Sequence, residues 1–187
     1  LGRREGKLCG YNTDIDGFSY MLRRAGISLA GKKVVILGSG GASLTAQAAA
    51  KREGAREIAV VSRSGPDNYE TLPDRHGGAE VLINTTPVGM WPHMDGAPVD
   101  LRRLPGLTGV ADVIYNPGRT DLLLQAEALG LRHAGGLSML VHQAKRAEEL
   151  FFDKAIPDGE MERIIASLRR DMTNIVLVGM PGSGKTT

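Results

Sequence analysis

Residues 34–43 read VVILGSGGAS, and this short stretch decides the fold class of the chain. Its first four residues are apolar and form a strand of the type that is buried on both sides. Glycines follow directly at positions 38, 40 and 41, and residues 42–52 are rich in alanine, which favours a helix. A strand, a glycine loop and a helix in this order indicate the opening of a parallel β-α-β unit.

The same alternation continues along the chain. Apolar runs at residues 58–61, 81–83 and 110–114 predict three further strands, and residues 68–75 and 120–129 predict helices between them. We therefore predict an α/β fold with a doubly wound parallel sheet, a Rossmann-like domain that covers residues 15–156. Ligands of such sheets bind at the carboxyl ends of the strands.

Helices are also predicted on either side of this pattern. Residues 16–24 read as a helix that ends before Gly26, and residues 137–151 place apolar side chains on one helical face and form the closing helix of the domain. Pro157-Asp158-Gly159 marks a boundary, with Asp158 as the predicted N-cap of a short helix over residues 161–168.

Composition excludes several classes of protein. The 187 residues are 42% hydrophobic and 24% charged with a net charge of +2, which is typical of a globular cytoplasmic protein rather than a disordered or nucleic-acid-binding one. The single cysteine excludes an internal disulfide, and no apolar run approaches the length of a membrane span. The four histidines lack metal-site spacing, so we expect them at the surface.

The glycine loop predicts a dinucleotide site. A helix N-terminus offers unpaired N–H groups and a partial positive charge to a pyrophosphate, and the small residue Ser43 allows close packing of strand and helix. The alternative is a simple structural turn. The predicted cofactor loop consists of Gly38, Ser39, Gly40, Gly41 and Ala42.

The residues after the second strand predict which dinucleotide is bound. An NAD site places Asp or Glu there to accept a bond from the ribose 2′-hydroxyl, whereas this chain has Ser62-Arg63-Ser64 and no carboxylate before Asp67. A guanidinium pairs well with a 2′-phosphate, so we predict NADP(H). The alternative is that Arg63 is a solvated surface residue.

The last fourteen residues carry a second motif, NIVLVGMPGSGKTT at residues 174–187. The pattern G-x-x-x-x-G-K-[ST] after an apolar run is typical of a P-loop, whose backbone and lysine bind ATP phosphates while its hydroxyl residue binds Mg²⁺. Because the chain begins at Leu1 and ends just after this loop, we expect it to be an internal piece of a longer protein. The predicted ATP site consists of Gly179, Gly182, Ser183, Gly184, Lys185 and Thr186, with Thr186 as the Mg²⁺ ligand.

Six segments in order resemble the shikimate dehydrogenase family. They are GYNTD at 10–14, GSGGA at 38–42, SRS at 62–64, NTTPVGM at 84–90, DVIYNP at 112–117 and GGLSMLVHQ at 135–143. Residues 174–187 resemble the opening of a shikimate kinase. The resemblance implies NADPH-dependent reduction of 3-dehydroshikimate to shikimate, in a bifunctional parent that also phosphorylates shikimate with ATP and Mg²⁺.

The resemblance also implies site residues. Asp14 matches a catalytic Asp whose partner Lys has no counterpart in this chain; from the residues alone, Asp14 reads as a helix N-cap. The implied substrate ligands are Asn12, Asp14, Tyr115 and Gln143, and the further implied cofactor contacts are Thr86, Pro87, Val88, Gly136 and Met139. Without the resemblance, Tyr115 closes a sheet edge, Gln143 lies on a solvated helix face and Met139 packs in the core.

The implied domain order is the end of a substrate-binding domain at 1–14, the NADP domain at 15–156, a linker and helix at 157–172, and the truncated start of a P-loop α/β kinase domain at 173–187. Its partners are then the missing substrate domain and kinase of the parent chain. A phosphotransferase, a non-catalytic NADP-binding module and a quinate/shikimate dehydrogenase are the alternative functions.

Overall fold

The computed structural model describes residues 2–4 and 6–173, so the predicted P-loop lies outside the described residues. The strands are β1 (Gly2–Arg4), β2 (Lys7–Cys9), β3 (Lys33–Leu37), β4 (Glu57–Val61), β5 (Val81–Asn84), β6 (Gly109–Asp112) and β7 (Arg132–Gly135). The helices are α1 (Thr13–Arg24), α2 (Gly41–Arg52), α3 (Leu72–His76), the 3₁₀-helix η1 (Leu101–Arg103), α4 (Asp121–Ala128), α5 (Leu137–Phe152) and α6 (Asp158–Asp171).

Five of the strands form one parallel sheet in the order β4-β3-β5-β6-β7, while β1 and β2 form a separate antiparallel pair. The chain leaves β3 towards β4 on one side and returns to β5 on the other side. This reversal is the topological switch point at which open α/β sheets bind ligands. The predicted parallel α/β sheet is therefore confirmed.

Helices cover both faces of the sheet. Val34 and Ile36 pack with α1 and α2 in one apolar core, and Val35 and Leu37 pack with α3, η1 and α4 in the other. Because successive side chains of a strand point to opposite faces, a strand buried on both sides needs an unbroken apolar run. The run at residues 34–37 meets that requirement, and all four of its side chains are fully buried.

Helix α6 docks against α1 and α5. Met161 and Ile165 are buried there beside Val141. Its Glu162 carboxylate accepts two hydrogen bonds from the Arg24 guanidinium, at 2.8 and 2.7 Å, and a third from the Tyr20 hydroxyl at 3.0 Å. These bonds lower the pKa of Glu162 to about 2, with the pair to Arg24 as the main cause. Helix α6 extends from Asp158 to Asp171 and is longer than the helix predicted over residues 161–168.

Several details of the sequence-based prediction are wrong. Asp158 is not the N-cap of α6; Pro157 holds that position, and the Asp158 carboxylate accepts a bond from Lys145 Nζ at 2.6 Å instead. His76 is buried, at 8% exposure, rather than on the surface. Strand β7 was not predicted, because an edge strand with exposed Arg132 and His133 lacks an apolar run.

Helix α3 also begins later than predicted, because Asn68 Oδ1 accepts bonds from the Glu70 and Thr71 N–H groups and holds the preceding residues in a turn. Within the part of the chain that the structure describes, no helix is long and apolar enough to cross a bilayer. The domain boundaries at residues 14, 156 and 172 stay predictions.

Candidate active site

All five parallel strands end in one row, and the predicted cofactor segments each follow one of these ends. The pairing register aligns Val61, Leu37, Asn84, Asp112 and Gly135 across the sheet. The segments 62–64, 38–42, 86–88 and 136–139 and the side chain of Tyr115 therefore lie along the same carboxyl edge. Positions as far apart in the sequence as 38 and 139 are brought to one edge by strand pairing.

The first turn of the glycine loop requires glycine at position 38. Gly38 has a φ of 104°, and its N–H donates to the Val61 carbonyl at 2.8 Å. A Cβ at this position would lie 2.8 Å from Thr85 Oγ1, which itself donates to the Leu37 carbonyl at 2.6 Å. The loop after β3 therefore lies directly against the loop after β5, as the switch point demands.

The N-terminus of α2 is open to a ligand. Gly40 is its N-cap and provides no side-chain cap, and the first turn carries no acidic residue. A Cβ at Gly40 or Gly41 would meet no atom within 4 Å, whereas Ser43 is fully buried between helix and sheet. Uncapped N–H groups beside open space suit a pyrophosphate, so these residues fit a dinucleotide.

The loop after β4 presents Arg63 to solvent. Arg63 and Ser64 are exposed, whereas Ser62 is buried and donates its N–H to the Asp67 carbonyl at 3.1 Å. The Arg63 guanidinium forms no hydrogen bond or ion pair with the described residues, so it is available to a ligand anion. It lies close enough to half-buried Tyr69 to oppose the rise that burial causes in the pKa of that phenol.

Asn84 shapes the loop after β5. Its buried side-chain oxygen accepts bonds from the Thr86 N–H at 3.0 Å and from Thr86 Oγ1 at 2.7 Å. Thr86 Oγ1 accepts in turn from the Val88 N–H at 3.3 Å. Pro87 and Val88 are exposed at the tip of this loop. The predicted cofactor contacts 86–88 are thus held by one buried amide.

A buried carboxylate connects this loop to the next one. Asp112 Oδ1 accepts from Asn84 Nδ2 and from the Ile114 N–H, both at 3.1 Å, and Oδ2 accepts from Thr120 Oγ1 at 2.8 Å. Thr120 is the N-cap of α4. Burial raises the pKa of Asp112, and these bonds oppose the rise. Asp112 therefore fixes Asn84 on one side and the backbone leading to Tyr115 on the other.

A second contact joins the same two loops. The Trp91 N–H, in the loop after β5, donates to the Asn116 carbonyl at 3.1 Å. Tyr115 lies beside this contact and is 47% exposed, so its phenol can reach a ligand rather than closing the sheet edge. Sequence reasoning assigned Asn84 and Asp112 no site role, although a polar residue that ends an apolar strand was a usable signal.

Of the four predicted substrate residues, Tyr115 lies in the loop after β6, and Asn12, Asp14 and Gln143 lie at the helix pair α1 and α5. Asn12 is the N-cap of α1, and its side-chain oxygen accepts from the Asp14 N–H at 3.0 Å and the Ile15 N–H at 3.4 Å. Reading Asp14 as an N-cap is therefore wrong; its carboxylate is exposed in the first turn. The Asn12 oxygen is used by the cap, which leaves its amide NH₂ group for a ligand.

Gly17 lets the two helices approach closely. A Cβ there would lie 2.7 Å from the Met139 carbonyl and 3.2 Å from Gln143 Cβ. Gln143 is thus partly buried against α1 rather than on a solvated face. Asp14 is three residues before Gly17, about 4.5 Å along the helix axis. Asn12 and Asp14 therefore lie at the start of α1, about one turn from the point where Gly17 contacts Gln143.

No group of three metal-ligating His, Cys, Asp or Glu side chains occurs among residues 2–4 and 6–173. The one metal ligand predicted from the sequence, Thr186, lies outside that range.

Known proteins share this architecture and sequence. A shikimate dehydrogenase (NADP(+)) of Caldicellulosiruptor bescii is 36% identical over 170 residues, which cover 81% of this chain and 58% of that protein. The crystal structure of shikimate dehydrogenase 1 from Peptoclostridium difficile is 33% identical with a TM-score of 0.79, and the match covers 92% of this chain and 67% of that one. The chain belongs to the shikimate dehydrogenase family.

A further shikimate dehydrogenase, crystallised with NADP⁺, is 26% identical with a TM-score of 0.76, and the match covers 91% of this chain and 65% of that one. The scan against protein-family models gave no match. The chain spans 58% to 66% of the first curated shikimate dehydrogenases that it matches. The roles of individual residues within the shikimate dehydrogenase site remain predictions.

Proposed function

We propose that this chain forms the NADP(H)-binding part of an enzyme that reduces 3-dehydroshikimate to shikimate. The observation that carries the proposal is the open N-terminus of α2 at the switch point, beside an exposed Arg63 that no described residue pairs. Membership of the shikimate dehydrogenase family supports the same chemistry.

Each segment of the strand-end row has a role in this proposal. Gly38 to Ala42 receive the pyrophosphate, Ser62 to Ser64 the 2′-phosphate, and the 86–88 loop with Gly136 and Met139 the nicotinamide end. The bound NADPH supplies the hydride. The residues of this chain position the cofactor. Gly38 and Thr85 keep the loops after β3 and β5 in contact, and the bond between Asn84 and Asp112 fixes the loop after β6.

Substrate binding falls to Asn12, Asp14, Gln143 and Tyr115. Reducing a ketone also requires a proton at its oxygen, which a positioned acid must supply. We assign Asp14 the role of orienting a lysine general acid. The partner lysine that the resemblance implies has no counterpart in this chain, so we place that lysine in another part of the enzyme.

We further propose that the parent protein carries a shikimate kinase after this domain. The support is the sequence at 174–187, where a P-loop motif follows an apolar run. ATP and Mg²⁺ are then cofactors of that second activity, and this chain provides only Gly179 to Thr186 towards it. A cytoplasmic location likewise stays a prediction from composition.

Cofactor titration tests the central proposal. We expect NADPH to bind more tightly than NADH, and Arg63→Ala to remove most of the difference, because a charge-assisted contact to the 2′-phosphate is worth roughly tenfold or more in affinity. Arg103→Ala, an exposed arginine on η1, is the matched control and should leave both affinities unchanged. Equal binding of both cofactors by the unsubstituted chain would contradict the NADP assignment.

A glycine pair separates ligand approach from folding. Gly40→Ala should weaken NADPH binding with little change in melting temperature, because the Cβ meets no protein atom but faces the pyrophosphate. Gly38→Ala should lower the melting temperature as well, because of its positive φ and the contact with Thr85. If Gly40→Ala binds NADPH normally, the glycine loop is a turn and not a phosphate site.

Activity assays on the full-length parent separate the remaining alternatives. Shikimate-dependent reduction of NADP⁺ distinguishes a dehydrogenase from a non-catalytic module, and the same assay with quinate tests the broader specificity. ATP-dependent phosphorylation of shikimate tests the kinase. Absence of all three activities in a protein that binds NADPH would favour the non-catalytic module.

A further inference from the structure

The loop between β4 and α3 is a tightly closed turn with Arg63 at its tip. The Ser62 N–H donates to the Asp67 carbonyl at 3.1 Å, which closes the turn at its base. A Cβ at Gly65 would lie 2.8 Å from Ser62 Oγ, so the two sides of the turn are in close contact. Arg63 and Ser64 are the exposed residues of the first half, and Asp67 ends the second half.

The Asp67 carboxylate points away from that tip and into α3. It is ion-paired with the Arg75 guanidinium, which also donates to the Pro66 carbonyl at 3.1 Å. His76 Nε2 lies 3.1 Å from the other carboxylate oxygen, without the alignment of a hydrogen bond. The Asp67 side chain is only 19% exposed. Arg75 therefore binds both the Asp67 carboxylate and the backbone of this loop.

We infer that Arg75 is a positioning residue for the choice between NADPH and NADH, because it withdraws and neutralises Asp67, the only carboxylate of the turn from Ser62 to Asp67. The inference rests on the proposed NADP(H) site and deepens it. A carboxylate near the ribose accepts a bond from a 2′-hydroxyl and repels a 2′-phosphate. With Asp67 held by Arg75, that repulsion is removed and Arg63 dominates the field at the tip.

Selectivity in this arrangement has two sources on two elements. Arg63 attracts the 2′-phosphate from the loop itself, whereas Arg75 acts from α3 without contacting the cofactor. If Arg75 is removed, the Asp67 carboxylate loses its partner and turns towards solvent and towards Arg63. NADPH affinity then falls, and NADH gains an acceptor for its 2′-hydroxyl.

The test is a rescue experiment on this chain, with NADPH and NADH dissociation constants as the readout. Arg75→Met keeps the apolar stem and removes the charge; we expect the NADPH-over-NADH preference to fall about tenfold, as one unscreened like-charge contact predicts. Arg75→Met combined with Asp67→Asn should regain most of the preference, because no charge is left to repel the phosphate. Arg102→Met, which breaks the comparable pair with Asp100, is the matched control.

Several outcomes would overturn the inference. An unchanged NADPH-over-NADH preference in Arg75→Met does so. A double variant whose preference is no higher than that of Arg75→Met also does so, because a loss caused only by a disturbed loop is not repaired by replacing Asp67 as well. If Arg75→Met fails to fold, the same comparison is made with Arg75→Gln, whose amide still donates to the loop. No preference for NADPH in the unsubstituted chain would overturn the proposed function itself, and the inference with it.

Discussion

Removing the Asp112 carboxylate should strongly destabilise the domain, because this buried group accepts three hydrogen bonds at the strand-end row. In Asp112→Ala, three donors lose their acceptor: Asn84 Nδ2, Thr120 Oγ1 and the Ile114 N–H. Asp112 and Asn84 are fully buried, and Thr120 is 1% exposed. An unpaired buried donor costs about 1–3 kcal/mol, and removal of a desolvated carboxylate returns part of that sum.

We therefore expect Asp112→Ala to lower the free energy of unfolding by about 3–5 kcal/mol, or roughly 10 °C in melting temperature for a chain of this size. Asp112→Asn keeps an oxygen for Ile114 and Asn84 and loses only the bond from Thr120, so its cost should be about 1 kcal/mol. Asp95→Ala, at an exposed aspartate, should change stability by less than about 0.5 kcal/mol.

The pH dependence gives a second measurement of the same network. Burial raises the pKa of Asp112 above its ordinary 3.8, so the folded state binds the proton more tightly than the unfolded state does. The contribution of this group to stability is thus fully present below pH 3.8 and is lost as pH rises through the raised pKa. Compared with Asp112→Asn, the unsubstituted chain should lose relative stability over that interval.

The assay is urea and thermal unfolding followed by circular dichroism, from pH 3.5 to 8. The reasoning fails if Asp112→Ala costs less than about 1 kcal/mol, or if Asp112→Asn is as damaging as Asp112→Ala, because either result means that the three donors find other acceptors.

Two further predictions concern the helices around α1. Gly17→Ala should destabilise the domain by about 1–3 kcal/mol in urea unfolding, because the new Cβ meets the Met139 carbonyl at 2.7 Å. Gly159 is also helical, but a Cβ there meets no atom within 4 Å, so Gly159→Ala should stabilise the domain by about 0.5–1 kcal/mol. Equal effects of the two substitutions would contradict the close contact between α1 and α5. Because the pKa of Glu162 is lowered from 4.5 to about 2, its bond to Arg24 contributes above pH 4.5 and is lost as pH falls towards 2. Since the Glu162 side chain is 49% exposed, we discount that contribution to about 1 kcal/mol. Glu162→Gln should therefore lower the stability measured by thermal unfolding at pH 6 by that amount and have little effect at pH 2. An effect of Glu162→Gln that does not change with pH would contradict this account.

The fold class could be predicted because its signals are local. A strand in a parallel sheet is buried on both faces, so residues 34–37 and 81–83 must be continuously apolar, and glycine 38 must follow where the chain turns with a positive φ. Strand β7 escaped prediction because its outer edge faces solvent and half of its residues are exposed. Local composition cannot identify a strand that is recruited by its neighbour.

The site could be predicted in part. The glycine loop and the arginine in place of a carboxylate can be recognised from the sequence alone, and the structure places these segments along one sheet edge. The hydrogen-bond partner of each polar side chain was harder to predict. Asn12 and Asp14 are both good N-cap residues, and only the backbone geometry shows that Asn12 takes the cap. Likewise Asp158 bonds to Lys145, a partner that a separate helix supplies.

The sequence by itself determined the β-α-β alternation, the glycine turn and the positive charge at residue 63, because each depends on the chemistry of neighbouring residues. Only the tertiary structure decided the strand order β4-β3-β5-β6-β7, the buried bonds of Asp112 and the withdrawal of Asp67 by Arg75. Those features join residues of different elements, eight positions apart for Asp67 and Arg75 and 28 for Asn84 and Asp112, and their energies depend on burial and on directions in space. No local pattern encodes either quantity.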